Sequence, residues 1–292
     1  MAKITTSTGL RTRYANLVDL KLRKLLVLKD GIIFNNRYEG SAKAGAVKVR
    51  VTGEATVGDY DLENGAALNK ASSSFITVDI DKDKYINEII DGFEADAVPD
   101  NMVADRLDTA SYGMADCLDK DGAECLVSQG TALESTAALT KNNIYEKIVD
   151  VRTQMSKNGV PNDGRRYLIV SPETYALLLK DTTNFIRATD FGDGVVQNGY
   201  VGKIAGFLVF ESTNLGTVTE GEGNNETTYN IDFVAGHPDY ATRVNEWAVM
   251  PKITSLEQSG KFIGASAVQA RKVYAHKVTN ANAIFVKKSV QS

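Results

Sequence analysis

Residues 165–215 constrain the chain more than any other stretch, because four short signals follow one another there in a fixed order. Tyr167 to Val170 is an apolar, β-branched run that stops at Ser171 and Pro172, where a serine can cap a helix and a proline suits its first turn. A strand followed by a helix is therefore predicted. Tyr175, Leu178 and Leu179 recur at helical spacing, and Asp181 to Asn184 end the helix with side chains that compete for backbone hydrogen bonds. Gly192, Gly194 and Gly199 punctuate a polar loop, and Tyr200 to Phe210 reads as two extended runs bent at Ala205 and Gly206.

The flanking chain divides by pattern. Over residues 1–35, Lys3, Arg11, Arg13, Lys21, Arg23, Lys24 and Lys29 outnumber Asp19 and Asp30, and Leu17, Leu20, Leu25 and Leu28 are spaced as on one face of a helix. That helix either packs on its own core or forms an arm whose basic face seeks an acidic surface or DNA. From residue 36 to 81 the pattern changes to alternation: Val47, Val49 and Val51 against Lys48 and Arg50, then Ile76, Val78 and Ile80 against Thr77, Asp79 and Asp81. Two strands joined by a long glycine-bearing loop are predicted, and a hairpin of this kind needs a surface to lie on.

Residues 99–129 form the longest helical candidate, with Val103, Leu107, Ala110, Met114, Cys117 and Cys125 near one stripe. Gly113 and Gly122 each cost a helix interior about 1 kcal/mol against alanine, so a break is expected near Asp121 and Gly122. Asp105, Asp108, Asp116, Asp119 and Glu124 read as a solvated face. Residues 142–158 predict a cleaner helix, with Ile144, Ile148, Val151 and Met155 in register before an Asn158-Gly159 stop. A polar loop over 216–228, strands near 229–235 and 247–251, and two β-rich runs turning at Thr279 to Asn282 complete the chain.

Few residues here point to chemistry. His237 and His276 are the only histidines, and neither has a partner at metal-ligand spacing. His237 reads as a loop residue and Trp247 as a core residue. Asp79 to Asp83 opens like a calcium loop, but Lys84 stands where glycine is needed and Ile90 where glutamate is needed. No Walker sequence and no G-x-S-x-G is present, so neither an enzyme nor a cofactor is expected. Cys117 and Cys125, about 12 Å apart along a helix, are too far apart to bond each other. The polar start and the lack of an apolar run of about 18 residues predict no signal peptide and no membrane association. A net charge of −4 argues against a protein whose main task is nucleic-acid binding.

The order of strand, S-P-E helix, glycine-rich loop and residues 202–215, GKIAGFLVFESTNL, resembles the axial domain of tailed-bacteriophage major capsid proteins of the Hong Kong 97 fold. The resemblance implies an α+β chain divided into an N-terminal arm (1–35), an extended β-hairpin loop (36–81), a peripheral domain with a spine helix (82–130 and 246–292) and an axial domain (131–245). It implies a subunit that self-assembles as pentamers and hexamers into an icosahedral shell around double-stranded DNA, bound without sequence preference, in the host cytoplasm and then the virion. A separate scaffolding protein and a portal are the implied partners. Subunit contacts would involve Arg11, Arg13, Arg23 and Lys24 of the arm, Lys48 and Arg50 of the extended loop, and Gly192, Gly194 and Gly199 near the capsomer axis. On this view the arm, to about residue 30, serves assembly more than the core. Alternatives are an encapsulin-like nanocompartment shell and, from another class, a soluble α/β enzyme.

Overall fold

The computed structural model describes residues 23–38, 40–53, 55–63, 65, 66, 68, 70, 73–91, 102–180, 186–187, 200–221, 226–257 and 261–291. Its strands are β1 (Ala46–Thr52), β2 (Ser73–Asp79), β3 (Lys82–Ile90), β4 (Thr131–Ala132), β5 (Tyr167–Val170), β6 (Ile186–Arg187), β7 (Tyr200–Ile204), β8 (Phe207–Glu211), β9 (Thr217–Glu220), β10 (Thr227–Gly236), β11 (Ala241–Ser255), β12 (Ser266–Val278) and β13 (Phe285–Val290). Its helices are α1 (Met102–Gln129), α2 (Ile144–Lys157) and α3 (Pro172–Lys180). They fall into two compact units divided at residues 26/27, 82/83, 118/119, 246/247 and 272/273.

The larger unit is built on a sheet ordered β4-β13-β10-β5-β8-β7-β6, with β9 also pairing β10. Its central strand explains the unalternating run at Tyr167 to Val170. All four residues are buried because both faces of the sheet are covered. On one face Tyr167 and Ile169 meet Leu126 of α1 together with Val27, Leu28, Ile33 and Phe34. On the other, Leu168 and Val170 meet Ile144, Ile148, Val151 and Met155 of α2 and Leu178 of α3. The helical spacing read from the sequence of α2 thus lands on one fully buried stripe. The Ser171 hydroxyl accepts from the Thr174 amide and caps α3 as expected. Ala205, at φ 47, and Gly206, at φ 87, turn β7 into β8, a geometry that twists with the strands of a two-residue hairpin.

Tyr167 also carries a prediction. Its hydroxyl is buried without a hydrogen-bond partner, packed where a Cβ on Gly236 would come within 2.5 Å. A buried unpaired hydroxyl is a burden rather than an anchor, so Tyr167→Phe should leave the fold as stable or up to about 1 kcal/mol more stable, read as an unchanged or raised urea midpoint. A clear loss would show that the hydroxyl has a partner in solution.

The hairpin expected from alternation is present. β1 and β2 pair antiparallel from Ala46 opposite Asp79 to Thr52 opposite Ser73. Val47, Val49 and Val78 bury its base against Ala42, Val244 and Ala275. In the smaller unit, β3 and parts of β11 and β12 form a sheet ordered β11-β12-β3. Val268 and Ile90 pack there on Ala110 of α1, with Ile86 and Leu107 beside them.

Several sequence expectations change. Residues 23–29 contain no helical turn, and Leu17 and Leu20 lie outside the described residues. In place of a helix, residues 27–35 form a strap across the sheet, tied by the Asn35 amide to the Ala241 carbonyl and by the Arg243 amide to the Asn35 carbonyl. Val27 and Leu28, within the stretch to residue 30 that was expected to serve assembly more than the core, are themselves core residues, as are Ile33 and Phe34 after it. α1 runs unbroken through Asp121 and Gly122, because tertiary packing outweighs the glycine's weak propensity: a Cβ at Gly122 would meet Arg243, Phe34 and His276 at 3.0 to 3.2 Å. Asp119 does not belong to a solvated face. It is buried and accepts from the Leu28 amide at 2.8 Å and the Asn214 amide at 2.7 Å. Trp247 is only half-buried, with the Lys272 ammonium over its ring.

Candidate functional site

Three polar clusters in the larger unit are each centred on a buried side chain. The first is centred on Arg243, 4% exposed, whose Nε donates to His276 Nε2 at 2.9 Å and whose Nη1 donates to Asp30 at 3.3 Å. The guanidinium lies 4.5 Å from the centre of the Phe34 ring, so it clamps the strap to β11 and β12. Burial, then the neighbouring guanidinium, pushes His276 down to about 3, and the ring is held neutral as an acceptor.

The second cluster is centred on Lys287, 1% exposed, whose ammonium donates to the carbonyls of Ser135, Ala137 and Lys288 at 2.7 to 3.0 Å. Asp232 lies 3.7 Å away, its other oxygen accepting from the Ser289 hydroxyl. Burial pulls Lys287 down and pushes Asp232 up, each toward its neutral form. In the third, His237, read from sequence as a loop residue, is fully buried at the end of β10 and meets Asp163 at 3.0 Å. Arg165 bridges Asp163 and Asp239. The Asp163 carboxyl is held well below its ordinary range, first by the Arg165 amide and then by His237.

Each cluster ties one stretch of backbone to another, and most of the charged atoms are matched by carbonyls or by one another, although Arg243 Nη2 and one Asp232 carboxylate oxygen are buried without a hydrogen-bond partner. Among the described residues no group of three or more His, Cys, Asp or Glu side chains is placed to hold a metal. No described helix is long and apolar enough to cross a membrane.

The outward surfaces differ in kind. Beyond its buried base the hairpin presents Val57 at 92% and Leu62 at 94% exposure, with Tyr60 and Leu68 also in the open. Asp59, Asp61 and Glu63 stand among them, so this tip is both apolar and acidic. In the smaller unit Tyr85 and Ile89 of β3, Met250 and Ile253 of β11, and Ile263 just before β12 are exposed as well. Exposed apolar side chains in this number are a feature of surfaces that meet another molecule.

The residues proposed from sequence are placed unevenly. Arg11, Arg13, Gly192, Gly194 and Gly199 lie outside the described residues. Arg23 pairs with Asp108 of α1 and stacks on Tyr112, and Lys24 pairs with Asp116 at 2.9 Å, so both have partners within their own chain. Lys48 and Arg50 stand exposed on the outer face of β1. The apolar tip residues were missed, although Val57, Tyr60, Leu62 and Leu68 in an otherwise polar, glycine-bearing loop were a signal open to reading.

Known proteins agree with this picture. Residues 46–287 match a family model described as phage capsid protein. Among solved structures, the chain is similar to one from Mycobacterium phage Che8, at 24% identity and a TM-score of 0.62, covering 87% of this chain and 88% of that one. It is similar to the capsid structure of the cyanophage P-SCSP1u, at 16% identity and a TM-score of 0.71, covering 96% and 92%. It also resembles the capsid of an empty GTA particle, at 13% identity and a TM-score of 0.61, covering 92% of each chain. At these identities the likeness is one of fold. No curated protein sequence matches the chain.

Proposed function

The chain belongs to the phage capsid protein family and has an α+β, Hong Kong 97-like capsid fold, and from that premise we propose that it is the major subunit of an icosahedral shell, arranged as pentamers and hexamers around double-stranded DNA. The match over residues 46–287 carries this reading, and the exposed apolar hairpins support it. Its mechanism is geometric. Each hairpin tip finds cover on a neighbouring copy, and closure multiplies a modest buried area by the symmetry of the shell. The reading assigns the chain no reaction of its own and no cofactor.

The slightly acidic chain encloses DNA without reading its sequence, and a separate scaffolding protein and a portal join it during assembly in the host cytoplasm. The basic arm, including Arg11, Arg13, Arg23 and Lys24, and the loop around Gly192, Gly194 and Gly199 extend the contacts between copies. Electron microscopy with light scattering on the purified chain, alone and with a scaffold, tests the proposal. Closed shells, pentamers or hexamers support it, and a monomer or small dimer under both conditions overturns it.

Arg50 sits opposite the half-exposed Phe75 on the hairpin and faces solvent. Arg50→Glu should reduce shell yield at least several-fold while the urea midpoint of the subunit moves by less than about 0.5 kcal/mol equivalent, the usual range for a surface substitution. Unaltered yield would remove Arg50 from the contact.

A further inference from the structure

The neutral His276 ring stands between two environments that favour opposite protonation states. On one side it accepts from Arg243 Nε at 2.9 Å, with Asp30 and the Phe34 ring of the strap around the same guanidinium. On the other side it lines a cavity of about 150 Å³, where Asp121, Glu124 and Cys125 of α1 meet Asp81 and Lys82 from the end of the hairpin. Asp119 of α1 adds negative charge near Arg243, and Tyr274 and Lys277 are its neighbours along β12. A ring that accepts from a guanidinium cannot keep that bond once its nitrogen is protonated, because it then presents a donor and a positive charge to another donor.

We propose that His276 is an acid-sensitive latch: on taking up a proton it turns from Arg243 toward the carboxylates of the cavity, and the strap over residues 27–35 comes off the sheet. The carboxylates of Asp81, Asp121, which also accepts from the Tyr274 hydroxyl, and Glu124 supply acceptors for the imidazolium, three against the two ammonium groups of Lys82 and of Lys277, whose charge reaches Cys125 in the same wall. Arg243, left without its acceptor, no longer pins Asp30 and Phe34. The sign follows from the ring's folded value, which lies below its ordinary one near 6.5. The neutral ring's contribution is whole above that value and is lost as pH falls toward about 3, since the opened strap binds the proton better.

Hydrogen exchange on the full chain tests this, kept between pH 7.5 and 5 so that ordinary carboxylates stay ionised. The amides of Leu28 and Asn35, bonded outside the strap to Asp119 and Ala241, report its release. After correction for intrinsic rates, their opening should rise about 30-fold over that range, one proton giving tenfold per pH unit below the ordinary histidine value. The amides of Ile148 and Val151 in α2 should change less than about threefold. His276→Gln keeps an acceptor for Arg243 but does not titrate, so it should flatten the response of the strap. A strap that ignores pH, a strap that opens in step with α2, or a glutamine variant that keeps the full rise overturns the latch. Should that variant fail to fold, the contrast between strap and α2 in the unaltered chain decides.

Discussion

Removal of residues 1–35 should leave no folded subunit. The strap places Val27, Leu28, Ile33 and Phe34 in the core, each at most 2% exposed. Burying such side chains is worth about 1.5–3 kcal/mol apiece, so their joint loss, on the order of 6–12 kcal/mol, rivals the whole stability of an ordinary domain. The deletion also strips the Arg243 guanidinium of Asp30 and Phe34, leaving a buried cation facing an open groove. Circular dichroism and urea unfolding read the outcome. The point variant Phe34→Ala should lose about 3–5 kcal/mol in the same direction. A truncated chain with a native spectrum and a cooperative transition would return the strap to the role of an assembly arm.

Lys287→Ala should cost about 3–5 kcal/mol, the usual loss when one partner of a buried ion pair is removed. Three carbonyls lose their donor at once, and Asp232, already pushed toward its neutral form by burial, loses its counter-charge. The segment from Ser135 to Ala137, which leads into α2, should loosen first, because that ammonium bonds two of its carbonyls. A double-variant cycle separates the pair from the carbonyl bonds. Lys287→Met with Asp232→Asn should lose at least about 1 kcal/mol less than the two single losses added together. Strict additivity would mean that the carboxylate and the ammonium do not act as a unit.

What the sequence revealed, and what it hid, follows from how local each cause is. α2, the cap at Ser171, the turn at Ala205 and Gly206 and the alternation of β1 and β2 are written in spacing and turn chemistry, and all are found where they were read. Leu28 was misread because a leucine at helical spacing also suits an extended segment whose apolar residues are held by distant elements. Asp119 and Gly122 were misread for the same reason: a buried carboxylate bonded to the amide of Leu28, and a glycine that makes room for Arg243, are facts about residues far away in sequence. β3 lacks a clean alternation, since its outward face carries Tyr85 and Ile89 as well as polar residues, so periodicity alone did not announce it. The exposed surface was legible in part. Lys48 and Arg50 lie on the exposed face of β1, as the alternation implies, whereas the apolar residues of the hairpin tip were passed over as loop.

α1 is 28 residues long and has no break. A helix end leaves about four amides or four carbonyls to be satisfied by something other than the helix itself. A break at Gly122 would open two further ends among buried neighbours, so the unbroken passage spares the chain a set of polar groups for which it would otherwise have to find partners.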